Sequence, residues 1–221
     1  MERREDMDNF IIISDAEKDI GHETAEDIKR YLESYGKCAR IVGDLAQIGG
    51  EIRTDMAIVL GGDGSVIQAA KRFAGESLPI LGVNFGTLGF LTVVEKPRIH
   101  QALDDILRGD YEVEKRMALM GRLEKAASRE ETALAVNEFI IGKQDFGRMI
   151  TAEVYVDNDL LDTYVADGIL VSTPTGSTAY NLSAAGPVLA PGMEAMIITP
   201  ICPHSLNKRS LVVSSSSKLR I

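Results

Sequence analysis

Tryptophan is absent, aromatic residues make up only 5% of the 221, and there are two cysteines and three histidines. Each shortage excludes something. Cys38 and Cys202 cannot build a disulfide framework. The scattered His and Cys residues show no zinc-ligand spacing, so no metal held by protein side chains is expected. With so few aromatics, a planar ligand must be gripped by aliphatic side chains, a few Tyr and Phe, and backbone. No apolar run approaches the roughly 20 residues of a membrane-spanning helix. Met1 to Asp8 carries both charge signs and no adequate apolar h-region follows, which is unlike a secretory signal. Cations are also short. Lys and Arg total 24 against 33 Asp and Glu, giving a net charge of −9, poorly matched to nucleic acid or an anionic membrane. The expectation is a soluble cytoplasmic protein with neither as a partner.

What is present is an ordinary globular composition, 45% hydrophobic and 26% charged, enough for a sizeable core. The periodicity divides the chain near residue 110. In residues 1–110, Asn9 to Ser14, Ala39 to Val42, Met56 to Leu60 and Pro79 to Val83 read as strands, the apolar ones covered on both faces. Ala25, Ile28, Leu32 and Tyr35 recur at helical spacing. Thr24 and Asp27 suggest a capping box, and Gly36 a stop. Val66 to Phe73 reads as a second helix. Pro97 opens a third, through Ile99, Leu103 and Ile106 to Gly109. Alternating strand and helix predicts an α/β domain with a parallel sheet.

Residues 111–221 read as a β-rich domain. The predicted strands are Ala133 to Ile141, Thr151 to Asp157, Leu160 to Val165, Gly168 to Ser172, Ala195 to Thr199 and Leu211 to Val213, with helix near Ala179 to Ala185. Ser214 to Ser217 reads as a loop or flexible tail. Met117 and Met120 are expected in the core. His22 and His100 are expected at the surface of helices, and the runs Asp15 to Asp19 and Arg129 to Glu131 in solvent. His204 is expected to support structure.

Three segments carry chemistry. Gly61-Gly62-Asp63-Gly64-Ser65 follows a buried strand and opens a helix. Glycines there let backbone N–H groups approach phosphate, and a helix N-terminus favours negative charge. No Gly-Lys-Ser/Thr follows, and Ile67 occupies the third glycine position of a dinucleotide fingerprint, so neither familiar nucleotide loop is present. A carboxylate inside the glycines suits a metal or a proton transfer; a tight turn with Asp63 as N-cap remains the alternative. Asn137-Glu138 interrupts an apolar run, either as a recognition pair or as a strand end. The third segment runs from Asp167-Gly168 to Thr173-Pro-Thr-Gly-Ser-Thr-Ala-Tyr180. Its hydroxyls can bind a ligand's base, ribose or phosphate, or cap a short helix.

Together with Leu88-Gly89-Phe90 and Thr199-Pro-Ile-Cys-Pro-His-Ser-Leu206, these segments resemble the NAD kinase family in order and across nearly the whole chain. The glycine cluster alone is shared with diacylglycerol, sphingosine and phosphofructokinase-like kinases. The resemblance implies an NAD kinase/diacylglycerol kinase-like α/β domain for the phosphate donor (1–110) and a β-rich NAD-binding domain (111–221), with the site between them. The implied reaction moves a phosphoryl group from ATP, carried with Mg²⁺, or from polyphosphate, to the adenosine ribose 2′-hydroxyl of NAD. Asp63 would be the base. Gly61, Gly62, Gly64 and Ser65 would bind donor phosphates. Asp63, Gly64, Phe90, Asn137, Glu138, Asp167, Thr175, Thr178, Ala179, Tyr180 and Ser183 would bind NAD. A homodimer or homotetramer is implied. Gln68 and Val165 stand where relatives carry cations, and the family pattern continues past Ile221, so the β-rich domain is expected to lack its last strands. The alternatives are a nucleotide-binding protein of this fold without turnover and a lipid kinase of the wider superfamily.

Overall fold

A computed structural model describes residues 7–14, 19–48, 53–86, 89–124, 131–144 and 147–221. The chain divides into two compact units, Met1–Val113 and Glu114–Ile221.

The first unit holds a parallel five-stranded sheet in the order β2-β1-β3-β4-β5. Its strands are β1 (Asn9–Ser14), β2 (Cys38–Val42), β3 (Met56–Leu60), β4 (Ile80–Asn84) and β5 (Thr92–Glu95). The helices are α1 (Glu23–Ser34), α2 (Asp63–Arg72) and α3 (Ile99–Leu107). Strand alternation sends side chains into two separate cores. Phe10, Ile12, Ile58 and Leu60 pack with Ala25, Ile28 and Leu32 of α1 and Leu103 of α3. Ile11, Ile13, Ala57 and Val59 pack with Val66, Ala69 and Phe73 on the α2 side. A sheet covered on both faces explains why its central strands read as unbroken apolar runs. Its order reverses between β1 and β3, and ligands of open α/β sheets bind outside the carboxyl ends at such a switch point. The glycine cluster leaves β3 there.

The second unit is β-rich. One antiparallel sheet has the order β13-β12-β11-β8, from Leu211–Ser214, Ala195–Ile201, Gly168–Ser172 and Glu138–Gly142. A second is β10-β9-β14, from Asp159–Ala166, Ile150–Val156 and Leu219–Arg220. The pair β6 (Leu119–Leu123) and β7 (Glu131–Ala135) forms its own two-stranded sheet, with Leu119 and Ala135 packed on Val171 and Met196. Ile169 and Ile198 of the first sheet pack on Val154 and Tyr164 of the second, a sandwich core. Among the described residues no helix is long and apolar enough to cross a membrane.

Several expectations are corrected. The capping box Thr24/Asp27 does not form. The Asp19 carboxylate instead accepts the N–H groups of Thr24 and Ala25 at 3.0 Å each, and the Ser14 hydroxyl at 3.0 Å. These bonds hold the Asp19 carboxyl below its usual range against opposing burial. Asp19 is therefore 3% exposed rather than solvated, while Asp15 to Lys18 lie outside the described residues. His22 is half-buried, its Nδ1 2.9 Å from Ser14 Oγ, and sits in a 3-10 turn before α1. Met120 is 80% exposed because alternation along β6 turns it away from the core that buries its neighbour Leu119; Met117 does pack on the core. Ala133 to Ile141 is two strands, broken at Val136-Asn137, and the strands join different sheets. The serine run is a bonded turn into β14. Ser217 Oγ and Lys218 N donate to Asp157 at 2.9 and 2.8 Å. Of the Arg129–Glu131 run, Glu131 is exposed and the other two lie outside the described residues.

Candidate active site

In the first unit, α2 begins as β3 ends, with Gly62 as N-cap and no side chain capping it. The Gly61 N–H is spent on the sheet, donating to Val83 O at 2.9 Å. The N–H groups of Gly62, Asp63 and Gly64 make no hydrogen bond among the described residues. A Cβ at Gly62 or Gly64 would meet no atom within 4 Å. The protein's own packing therefore does not demand glycine at either position, whereas close approach by an anion would.

Asp63 is the first residue of α2, not its N-cap. Its carboxylate faces the turn between β4 and β5. Oδ2 accepts Phe90 N–H at 2.8 Å; Oδ1 accepts Leu91 N–H at 2.9 Å and Thr92 N–H at 3.2 Å. A Cβ at Gly89 would overlap this carboxylate, so the glycine there is a steric requirement. A carboxylate offers about four lone-pair sites, and Oδ2 keeps one beyond its single backbone donor. Phe90 contributes its backbone; its ring is 70% exposed. Leu88 lies outside the described residues.

In the second unit, the Val136-Asn137 break is stitched to the loop after β11. Thr173 N–H donates to Asn137 O at 2.8 Å, and Thr173 Oγ1 donates to Val136 O at 2.7 Å while accepting Gly176 N–H at 2.9 Å. A Cβ on Gly176 would overlap the Asn137 carbonyl and lie 2.6 Å from Ser172 Oγ. Ser177 Oγ donates to Pro174 O at 2.6 Å and accepts Leu189 N–H at 3.1 Å. The buried hydroxyls of Ser172, Thr173 and Ser177 thus serve the loop itself. The contacts expected of this segment are Thr175, Thr178, Ala179, Tyr180 and Ser183. Thr175 Oγ1 accepts from Arg116 at 3.3 Å, and Thr178 donates to Thr175 O at 3.4 Å. Tyr180 and Ser183 are exposed on α4 (Tyr180–Ser183), a single turn after a 3-10 turn at Thr175–Thr178. Ala179 breaks the two turns with φ −91° and ψ −129°. Asp167 precedes β11, and its Oδ1 accepts Lys143 Nζ at 2.6 Å.

Two family models match, ATP-NAD kinase N-terminal domain over residues 14–111 and ATP-NAD kinase C-terminal domain over 136–221. An NAD kinase of Moorella thermoacetica is 42% identical over 225 residues, covering 97% of this chain and 72% of its own. The chain belongs to the NAD kinase family. Solved kinases of the family share its fold. A yeast NADH kinase crystallised with NADH superposes with a TM-score of 0.86 over 97% of this chain and 72% of its own, at 24% identity. An NAD kinase from Archaeoglobus fulgidus in complex with ATP gives 0.76 over 96% and 79%, at 25% identity.

Against this NAD kinase background, several supporting residues went unread in the sequence. Thr92, Arg116 and Lys143 hold Asp63, Thr175 and Asp167 respectively. Only a cation close to a motif in sequence hints at such pairing, and Arg116 and Asp167's Lys143 are 59 and 24 residues from their partners. Among the described residues no group of three or more His, Cys, Asp or Glu could hold a metal.

Glu138 opens β8 and carries a further signal. Its Oε2 is buried without a hydrogen-bond partner among the described residues, and burial pushes its carboxyl above the usual range. A group whose pKa rises on folding stabilises the fold while protonated. That contribution is complete below the ordinary value of 4.5 and is lost as pH climbs through the folded value. In paired thermal scans, Glu138→Gln is expected to gain on the wild type between pH 4 and pH 7. A constant offset at both pH values would show that the buried carboxylate carries no such penalty.

Proposed function

We propose that this chain phosphorylates NAD on its adenosine ribose 2′-hydroxyl, using ATP or another polyphosphate as donor. The observation that carries this reading is the uncapped start of α2. Three N–H groups unbonded among the described residues, and two glycines facing open space, lie beside one carboxylate at the switch point of the sheet.

In this reading the N–H groups of Gly62, Asp63 and Gly64 hold donor phosphate oxygens at the positive end of the helix, with Ser65 beside them. Gly61 shapes the turn, its own N–H being committed to the sheet. Asp63 takes the proton from the 2′-hydroxyl as that oxygen bonds to the terminal phosphorus and the bond to the leaving ADP, or to the shortened polyphosphate, breaks. Phosphoryl transfer has a loose transition state, so positioning and charge stabilisation do most of the work. The turn that bonds Asp63 fixes the carboxylate's direction, which is the positioning such a base needs. Mg²⁺ would arrive on the donor phosphates and screen their charge; among the described residues no cluster of His, Cys, Asp or Glu forms a protein-held metal cage. Phe90, Asn137, Glu138, Asp167, Thr175, Thr178, Ala179, Tyr180 and Ser183 are the NAD contacts of this proposal.

The test is an NADPH-coupled assay of the purified chain with NAD and either Mg-ATP or inorganic polyphosphate, alongside calorimetric titration of NAD. Formation of NADP supports the reading. NAD binding without NADP would favour a nucleotide-binding protein of the same fold.

Gly64→Ala separates the phosphate cradle from the fold. Gly64 lies inside α2, where alanine is favoured by about 0.5–1 kcal/mol. With no atom near the new methyl, melting is expected to rise by a few degrees. The same methyl would stand where a donor phosphate approaches, so affinity for ATP is expected to fall. A variant that melts higher and binds ATP as tightly would refute the cradle.

A further inference from the structure

Asn84 is the last residue of β4, one position beyond Val83, whose carbonyl accepts the Gly61 N–H. It is 5% exposed. Its side-chain oxygen has a clear structural use, accepting Gly86 N–H at 2.8 Å to set the turn after the strand. Its amide nitrogen has none. Nδ2 is fully buried and has no hydrogen-bond partner among the described residues. A buried unpaired donor is costly. An aspartate could accept the same turn N–H without burying a donor, so the turn alone does not account for an amide here.

The strand's alternation shows which way the group faces. Val83 belongs to the core on the α1 and α3 side. A Cβ at Gly82 would press on Val66 of α2. Asn84, two residues beyond Gly82, therefore faces the α2 side at the carboxyl edge of the sheet. Neighbouring strands lie about 4.8 Å apart, so Asn84 stands beside Gly61 and the N-terminus of α2, whose first N–H groups are themselves unbonded among the described residues. Unpaired donors from two elements thus lie at the same edge of the sheet.

We propose that Asn84 is a binding residue for the phosphate donor, its Nδ2 donating to a phosphate oxygen held at the N-terminus of α2. This rests on the reading of Gly61 to Gly64 as the donor site. The side chain adds a neutral donor where Gln68 leaves the N-terminal half of α2 without a cation, Lys71 and Arg72 lying in its last turn. An amide also tolerates the crowding of several phosphate oxygens that a second carboxylate beside Asp63 would repel.

The experiment uses the full chain. Asn84→Asp keeps the acceptor for Gly86 and replaces the donor by an anion; Asn84→Ser keeps an acceptor and withdraws the amide. ATP affinity is measured by calorimetry without NAD, and KM for ATP and for NAD by coupled assay. Both variants are expected to weaken ATP binding and raise its KM about 10- to 100-fold, Asp more than Ser, while KM for NAD stays put. Unchanged ATP affinity in both variants would overturn the proposal, as would equal rises in both KM values, which mark a loosened turn. Should neither variant fold, a crystal structure of the wild type with a non-hydrolysable ATP analogue decides. Nδ2 within about 3.2 Å of a phosphate oxygen supports the assignment, and any other partner for Nδ2 removes it. Failure of the wild type to bind ATP at all would instead remove the donor-site reading.

Discussion

Replacing Asp63 by Asn is expected to lower kcat about 10²- to 10⁴-fold, the usual contribution of a positioned acid–base group. Asparagine preserves size and one acceptor oxygen. It removes the proton acceptor and turns an NH₂ group toward backbone donors. Those donors are Phe90 N–H on one side and Leu91 and Thr92 N–H on the other, so one set must lose its acceptor whichever way the amide lies. Hydrogen bonds to a charged partner are worth about 1.5–3 kcal/mol, so some stability is lost with activity. The two losses separate. A base role predicts that Asp63→Asn still binds NAD in calorimetric titration while turnover collapses. Full activity in the coupled assay would remove Asp63 from that role. Hydrogen exchange at residues 90–92 reports the anchoring role: amide protection there is expected to drop in the variant and elsewhere to persist.

Gly176→Ala is expected to cost about 3 kcal/mol or more, at the upper end of overpacking effects. The new methyl would overlap the carbonyl oxygen of Asn137 and crowd Ser172 Oγ at 2.6 Å. These are the atoms that join the loop after β11 to the break before β8, so the methyl cannot be accommodated by a side chain swinging away. For a chain of this size the loss corresponds to a melting temperature lower by roughly 6–12 °C. Differential scanning calorimetry checks it; a drop under about 2 °C would mean that the 136–137 segment yields easily. The neighbouring Thr173→Val should act in the same direction, since Thr173 Oγ1 both donates to Val136 O and accepts Gly176 N–H.

Much of the α/β unit was legible because its strands are buried on both faces. Asn9–Ser14 and Met56–Leu60 fill two cores at once, and that requirement leaves unbroken apolar runs in the sequence. Gly36 and Gly109 likewise marked helix ends through positive φ, 74° and 72°. Strands β5, β6 and β14 escaped notice for the opposite reason. They are short, partly exposed, and defined by their partners rather than by a pattern of their own. Ala133 to Ile141 misled because apolar continuity does not reveal that a chain leaves one sheet and enters another. The polar pair within it did mark the spot: Asn137 sits in the break and Glu138 begins the next strand.

The candidate site divides along a similar line. Residue types marked Gly61 to Gly64, Asn137-Glu138 and the Asp167 to Tyr180 segment as candidates with plain structural alternatives, and the resemblance to NAD kinases gave them their expected roles. Which of them are spoken for was a matter of tertiary structure. Hydroxyls at Ser172, Thr173 and Ser177 look as available as those of Thr175 and Thr178 in one dimension, yet in three they are consumed by their own loop. Asp19 reads as one more surface acid and is a buried cap. Asp63 reads as a possible helix cap, and its carboxylate turns instead to a segment 27 to 29 residues away. Asn84 lies one residue past the predicted strand Pro79 to Val83 and carries no signal of its own, and only burial leaves half of its amide unpaired. The sequence determined the layers, the family pattern and the chemistry within reach, since local period and residue type fix those. Hydrogen-bond saturation depends on residues far apart in the chain, so only the folded structure decided which groups remain free to meet a ligand.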